Sequence, residues 1–398
     1  MKFKEYFDRL YAHVQQSGIA AVMAKTVEDS PWHREANTWV HTEMVVQQAR
    51  ERANPDGDYS RSELFTLIAA LFHDFGKPAA EETLEKEGQP GVTYRRYSGH
   101  EVISANAMIQ YFLVNTELLD GFYALGFDNN DLRGIRFMVE YHLPYSIKDK
   151  QKRSTIMQNL RYYNVEQAFY NLLVSDCAGR ISDDHPTKLK AVDDWIKEFR
   201  VTEVLDDRGV QTALKVNAKL QRSAPCMVLL CGPSGSGKST YLKTYLAEGD
   251  ILVNEDDYRL EYAVASFSPE DLATYKQLGV KAQYDMAWKF CHLNKDSQYD
   301  KFAKAKFEAA VATGKKIFLD RTNQSRKNRS YWVNTARQKG YRIVAVEFWV
   351  PEAALIARQI SRPEKQVPSY RVSEMVYGTQ MVQYGTEADE VVVVVNGV

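Results

Sequence analysis

Apolar positions fall into two regimes along the chain. Up to about residue 200 they recur at three- and four-residue spacing, which predicts helix after helix. Ser60 and Glu63 form a capping-box pattern that opens an apolar run ending at His73, and Asn129 or Asn130 precedes the periodic set Ile135, Met138, Val139 and His142. No convincing strand is expected before about residue 220. From Cys226 the pattern changes to short β-rich runs alternating with helices: Cys226 to Cys231, Ile251 to Asn254, Lys316 to Leu319, Ile343 to Val350 and Val391 to Val395. Such alternation implies βαβ units and a parallel sheet.

At 398 residues the chain is too long for one ordinary core and suits two. The expected organisation is an all-α domain over 1–200, a polar linker over 201–224, and an α/β domain with a parallel sheet over 225–398. A net charge of −1 argues against a broad grip on duplex nucleic acid, though it leaves recognition of a strand end open. Cys177, Cys226, Cys231 and Cys291 lack metal-ligand pairing and read as reduced core thiols, which favours the cytoplasm. No window approaches eighteen uninterrupted apolar residues, and no membrane role is expected.

Seven of the eight histidines lie between His13 and His185, so the halves carry different chemistry. In the second half, Gly232-Pro-Ser-Gly-Ser-Gly-Lys238-Ser239-Thr240 follows an apolar strand and opens a helix, the context of a P-loop. There the backbone at Gly232, Gly235, Ser236 and Gly237 approaches the phosphates of ATP or another NTP. Lys238 reaches the β and γ phosphates, Ser239 ligates Mg²⁺, and Thr240 completes the nucleotide-binding set. The next strand, expected beside the P-loop strand, ends in Asn254-Glu-Asp256-Asp257-Tyr258-Arg259. A carboxylate there can meet an acceptor hydroxyl, and an arginine one turn on can hold an acceptor phosphate, which is kinase rather than motor geometry. Asp257 reads as a helix N-cap or first-turn acid.

These residues resemble the bacteriophage polynucleotide kinase family. The resemblance implies Asp256 as general base on a 5′-hydroxyl and Arg259 as ligand of the acceptor's 3′-phosphate. Asp320-Arg321-Thr322-Asn323 is similar to the family's Asp-Thr-Asn segment, with Arg321 inserted, and places Asp320 and Thr322 on the substrate side. Arg358 and Arg362, four apart on an expected helix, resemble the family's pair of lid arginines over the nucleotide phosphates. The aromatic-rich stretch from Tyr262 to Ser297 is extra; core packing explains most of it, and some of its rings could stack unpaired bases.

In the first half, His41, the pair His73-Asp74, and Asp176 form the His, His-Asp, Asp order of HD-type metal hydrolases. A carboxylate on an apolar helix face needs a partner, and a metal ion supplies one. His100 and His142 extend the pattern, with Asp74 able to bridge a second ion at roughly 3.5–4 Å from the first. His and carboxylate donors suit one or two ions of Mn, Co, Ni, Fe or Zn. Lys77 is a candidate for substrate phosphate or for the helix C-terminus.

The motif order resembles the HD domain of bacterial tRNA nucleotidyltransferases, which acts on 2′,3′-cyclic phosphates and 2′-phosphates. The resemblance implies His41, His73, Asp74 and Asp176 for one ion and Asp74, His100 and His142 for the other. The whole layout resembles the HD-domain polynucleotide kinases. It implies an RNA end-healing enzyme acting on RNA, or DNA, ends with a 5′-hydroxyl and a 2′,3′-cyclic phosphate, working with a separate RNA ligase. Two alternatives stay open: a nucleoside kinase fused to a nucleotidase, and an ATP-gated HD phosphodiesterase acting as a sensor.

Overall fold

The stretch from Leu64 to Phe72 has no polar face, so a helix formed by it must be surrounded on all sides. The computed structural model describes residues 1–28, 34–54, 57–85, 87–182, 187–195, 197, 225–294, 297–362 and 366–396. The chain divides into two compact units, Met1–Ala213 and Leu214–Val398. The expected linker over 201–224 lies outside the described residues, as do His33 and His185.

The first unit is built from helices α1 (Phe3–Gln15), α2 (Gly18–Met23), α3 (Thr38–Arg52), α4 (Arg61–Phe72), α5 (Lys77–Ala80), α6 (His100–Val114), α7 (Thr116–Ala124), α8 (Asn129–Glu140), α9 (Lys150–Tyr162) and α10 (Glu166–Ala178). Helix α4 is the central one: all nine residues from Leu64 to Phe72 are buried, and α1, α3, α6, α8 and α10 pack around it. Its start is the expected capping box, with Ser60 Oγ accepting from the Glu63 amide at 3.2 Å and Glu63 Oε2 accepting from the Ser60 amide at 2.6 Å.

Two expectations need correction here. Helix α8 is capped by Asp128 rather than Asn129 or Asn130, because the Asp128 carboxylate accepts from the amides of Asn130 and Asp131; an anion suits the positive end of the helix dipole. The unit also contains strands, in two antiparallel pairs: β1 (Val27–Glu28) with β2 (Ala36–Asn37), and β3 (Glu82–Glu85) with β4 (Thr93–Arg96). Segments of two to four mostly polar residues are too short for an apolar alternation to register.

The second unit is an α/β domain around a five-stranded, all-parallel sheet: β5 (Cys226–Cys231), β6 (Ile251–Asn254), β7 (Ile317–Asp320), β8 (Arg342–Trp349) and β9 (Glu390–Val395), in the order β6-β7-β5-β8-β9. Strand β5 is buried on both faces, with Met227, Leu229 and Cys231 in one core cluster and Val228 and Leu230 in the other. The strand beside β5 is β7, which carries Asp320, and not β6, which lies at the sheet edge. Four helices between residues 255 and 312 separate β6 from β7, giving the chain enough length to cross outward and return to the inner position.

The segment before β9 is anchored by one fully buried cation. Arg329 forms a fork with Glu387 (Nε–Oε1 2.7 Å, Nη2–Oε2 3.0 Å) and donates to the carbonyls of Asn323, Gln380 and Met381 at 2.8–3.0 Å. Removing the carboxylate leaves an uncompensated buried guanidinium. Glu387→Ala is therefore expected to destabilise the second unit by about 3–5 kcal/mol in urea unfolding.

Candidate active sites

A loop binds phosphate through backbone N–H groups only if its carbonyls are turned away and satisfied elsewhere. In the segment 232–236 every carbonyl has a side-chain donor. Lys238 Nζ donates to Gly232 O and Pro233 O, both at 2.8 Å. Gln359 Nε2 donates to Ser234 O at 2.9 Å, Arg358 Nη1 to Gly235 O at 3.0 Å, and Asn396 Nδ2 to Ser236 O at 2.9 Å. Gly235 and Gly237 sit at φ +84° and +101°, where only glycine is unstrained, and this left-handed geometry closes the nest just before the helix Lys238–Tyr245. Close packing outweighs the attraction of Asp320 and holds the Lys238 ammonium below its ordinary pKa.

The loop forms one wall of a cavity of about 890 Å³. Gly235, Ser236, Gly237, Lys238, Ser239 and Thr240 line it together with Asp256, Arg259, Asp320 and Thr322, and Arg358 and Arg362 reach it as well. Gly232 is not among the lining residues; its amide donates to Thr322 O at 3.1 Å. The lid arginines do not share a helix as expected. That helix is Glu352–Ile360, so Arg362 follows its end, yet both side chains reach the cavity.

On the acceptor side, Asn254 joins two strand ends. Its Oδ1 caps the helix Glu255–Ser266 by accepting from the amides of Asp256 (2.9 Å) and Asp257 (3.1 Å), and its Nδ2 donates to Asp320 Oδ2 at 3.0 Å. Asp257 is thus a first-turn acid and not the cap. Arg259 Nη1 lies 2.8 Å from Asp256 Oδ1. Glu255, Gln359 and Asn396 carry contacts here that no sequence motif marked.

In the first unit, five helix ends bring His41, His73, Asp74, His100, His142 and Asp176 into one buried cluster. Asp74 is its centre. Oδ2 lies 3.1 Å from His73 Nε2 and 3.5 Å from His41 Nε2, while Oδ1 lies 3.2 Å from His100 Nε2 and 3.8 Å from His142 Nε2. Asp176 Oδ1 adds to the first group, 3.3 Å from His41 Nε2 and 3.9 Å from His73 Nε2. Two triads, His41-His73-Asp74 and Asp74-His100-His142, therefore present converging donors and share one carboxylate.

The imidazoles are oriented for a cation. Each Nδ1 faces a backbone carbonyl: Gly179 for His41 (3.3 Å), Ala70 for His73 (2.7 Å), Tyr97 for His100 (2.7 Å) and Val139 for His142 (2.8 Å). A proton at Nδ1 leaves the Nε2 lone pair pointing inward. Yet Nε2 of His41 and His73 are 3.3 Å apart, and those of His100 and His142 are 3.4 Å apart. Two lone pairs at that distance repel unless a positive charge lies between them, so the donor set fits a metal ion at each pair.

Without a metal ion, a proton takes the cation's place at the first pair, and only the second pair stays neutral at His142. Burial opposes charge on His41, but Asp176, Glu35 and Asp74 outweigh it and raise its pKa to about 9. Burial together with the neighbouring His100 and His73 pushes His142 down to about 3. Lys77 Nζ is itself buried between Glu28 (2.6 Å) and Asp74 (2.9 Å), and Arg180 pairs with Asp176, so both acids are gripped from outside the cluster.

The parallel sheet, the carbonyl-satisfied nest and the adjoining cavity define the second unit as a P-loop domain of kinase-like type, built for ATP and Mg²⁺. The family described as an AAA domain matches residues 227–382. Among solved structures, a chain from the PezAT chromosomal toxin-antitoxin system of the human pathogen Streptococcus pneumoniae is 17% identical with a TM-score of 0.26. That alignment covers 40% of this chain and 63% of the other, so it spans less than two thirds of that protein's length. No curated protein matches the chain. No helix among the described residues is long and apolar enough to cross a membrane.

Because Asp74 serves both triads and His142 only one, their substitutions should differ. After equilibration with Mn²⁺ and removal of free ion, Asp74→Asn should retain almost no metal by elemental analysis. His142→Ala should keep the share held by His41, His73 and Asp176.

Proposed function

We propose that this protein heals broken RNA ends: its second unit phosphorylates 5′-hydroxyl polynucleotide ends from ATP, or another NTP, and its first unit is an HD-type metal phosphohydrolase that clears 2′,3′-cyclic phosphate or 2′/3′-phosphate ends. The observation that carries the kinase half is Asp256, a carboxylate that lines the same cavity as the P-loop, with Arg259 one helical turn further along the chain. A nucleotide-gated sensor needs no such acceptor-side base.

In this reading Asp256 takes the proton of the 5′-hydroxyl as its oxygen attacks the γ-phosphorus, and the bond to the β–γ bridging oxygen breaks to release ADP. Lys238, Arg358 and Arg362 balance charge on the transferred group, and Ser239 supplies the Mg²⁺ ligand. Arg259 holds Asp256 at 2.8 Å before an acceptor arrives. An acceptor phosphate competing for that guanidinium frees the carboxylate to act as base. Thr322 and Asp320 stand beside the same path.

In the first unit, bound Mn, Co, Ni, Fe or Zn would polarise the phosphoryl group and lower the pKa of a water nucleophile. The chain's part is to hold the donors: Asp74 shared between triads, carbonyls fixing each imidazole, Lys77 and Arg180 orienting the two acids. Hydrolysis would open the cyclic phosphate to a monoester. The products suit a separate RNA ligase, and the natural ends would be RNA or DNA.

The test uses an RNA with a 5′-hydroxyl and a 2′,3′-cyclic phosphate, supplied with ATP, Mg²⁺ and Mn²⁺. Lys238→Ala should abolish the 5′-phosphate product alone, and His73→Ala the 3′-end product alone. Loss of both activities with either substitution, or no change at either RNA end in the wild type, would overturn the two-site reading.

A further inference from the structure

The helix Glu352–Ile360 is seated by Leu355, which is buried with Val350, Val372 and Val376. Gln359 lies one turn further along the same face, where packing alone would place another apolar residue, and it is 2% exposed. An amide in that position costs free energy unless both its ends find partners. Both do: Nε2 donates to Ser234 O at 2.9 Å, and Oε1 accepts from the Val367 amide at 3.3 Å. One end meets a carbonyl and the other an N–H, so the partners also fix which way the amide points.

The amide lies flat against the phosphate loop. A Cβ at Gly235 would stand 2.6 Å from Gln359 Nε2, so a larger residue there would push the amide off the loop. Gln359 is not among the residues that line the cavity, but its neighbours Arg358 and Arg362 are, and the Arg362 amide donates to Gln359 O at 3.1 Å. Any influence it has on a nucleotide therefore passes through other groups. The Ser234–Gly235 peptide is the nearest of them. With its carbonyl held by Gln359, its N–H stays on the phosphate side; a released carbonyl could turn inward, where it would oppose the phosphate oxygens that the loop's N–H groups attract.

We infer that Gln359 is a positioning residue for nucleotide binding: its amide locks the Ser234–Gly235 peptide in the anion-binding orientation and, from the same turn of helix, sets Arg358 and Arg362 in register with the loop. The inference concerns the nucleotide's phosphates and is independent of the acceptor proposed above. Because the lock is made before a nucleotide arrives, its benefit is a preformed loop that loses little freedom on binding.

Equilibrium binding of MgADP, MgATP and AMP to the full chain tests the inference on wild type, Gln359→Leu and Gln359→Glu. Gln359→Leu keeps the bulk of the side chain and removes both hydrogen bonds, whereas Gln359→Glu keeps the acceptor for the Val367 amide and loses the donor to Ser234 O. A buried carbonyl left without its donor corresponds to about a 10-fold change in an equilibrium constant. Gln359→Leu should raise Kd for MgADP and MgATP by about that factor and leave the Kd for AMP, which lacks the outer phosphates, unchanged. Gln359→Glu should weaken MgADP and MgATP at least as much, and it decides the matter alone if the leucine variant does not fold. Equal losses for AMP and MgADP would make Gln359 structural and overturn the inference. Wild-type affinity for MgADP in Gln359→Glu would assign the residue's role to its contact with Val367 rather than with the loop, and would overturn it as well.

Discussion

Charge can be buried in a protein only beside its complement, and the functional parts of both units are solutions to that requirement. In the first unit the buried carboxylate of Asp74 draws four imidazoles and the Lys77 ammonium around it. The helices that deliver those groups are the ones packed around α4, so the packing and the site have one origin. In the second unit the same rule appears twice, as Arg329 held by Glu387 and as Glu255 holding Arg259 and Arg321. The two differ in one respect. Arg329 is saturated by five hydrogen bonds and is structural, whereas Arg259 and Arg321 both line the cavity.

The sheet explains why the acceptor machinery gathers where it does. The chain leaves the C-terminal end of β5 toward β6 on one side and that of the neighbouring β8 toward β9 on the other, so the two connections run in opposite directions. The crevice this opens is where ligands bind in open α/β sheets. Register then places the chemistry: Leu230 pairs with Asp320, and Asp320 with Asn254, so the P-loop start, Asp320 and the cap of the Asp256 helix lie along one edge.

Much of this was legible in the sequence because the signals are local. The Ser60–Glu63 box, the five strand segments and the glycine-lysine loop each declare themselves within a few residues. The histidines were legible because an adjacent His-Asp at the end of an all-apolar helix has no packing value. What escaped notice is nonlocal. Asn396 and Gln359 reach P-loop carbonyls from 160 and 125 residues away, as neutral amides without a spacing rule. Glu255 reads as one more acid in an acidic helix start, and its role exists only once Arg321 arrives from another strand. The inward position of β7 was hidden for the same reason, since strand order depends on the long helical excursion between β6 and β7 and not on either strand's own residues.

The two sites also show why one chain would carry them in separate units. The first concentrates largely buried imidazole nitrogens and carboxylates, a donor set whose chemistry suits borderline transition metals. The second offers the loop's backbone N–H groups, Lys238 and the Ser239 hydroxyl, a set that leaves Mg²⁺ to be held mainly by the nucleotide's own phosphates and water. In the reading proposed above, the imidazoles of a merged site would compete for an ion other than the Mg²⁺ that accompanies a nucleotide. Separation lets each unit keep the sign of charge its own chemistry requires: a negative cluster that gathers cations, and a positive cavity that gathers phosphates.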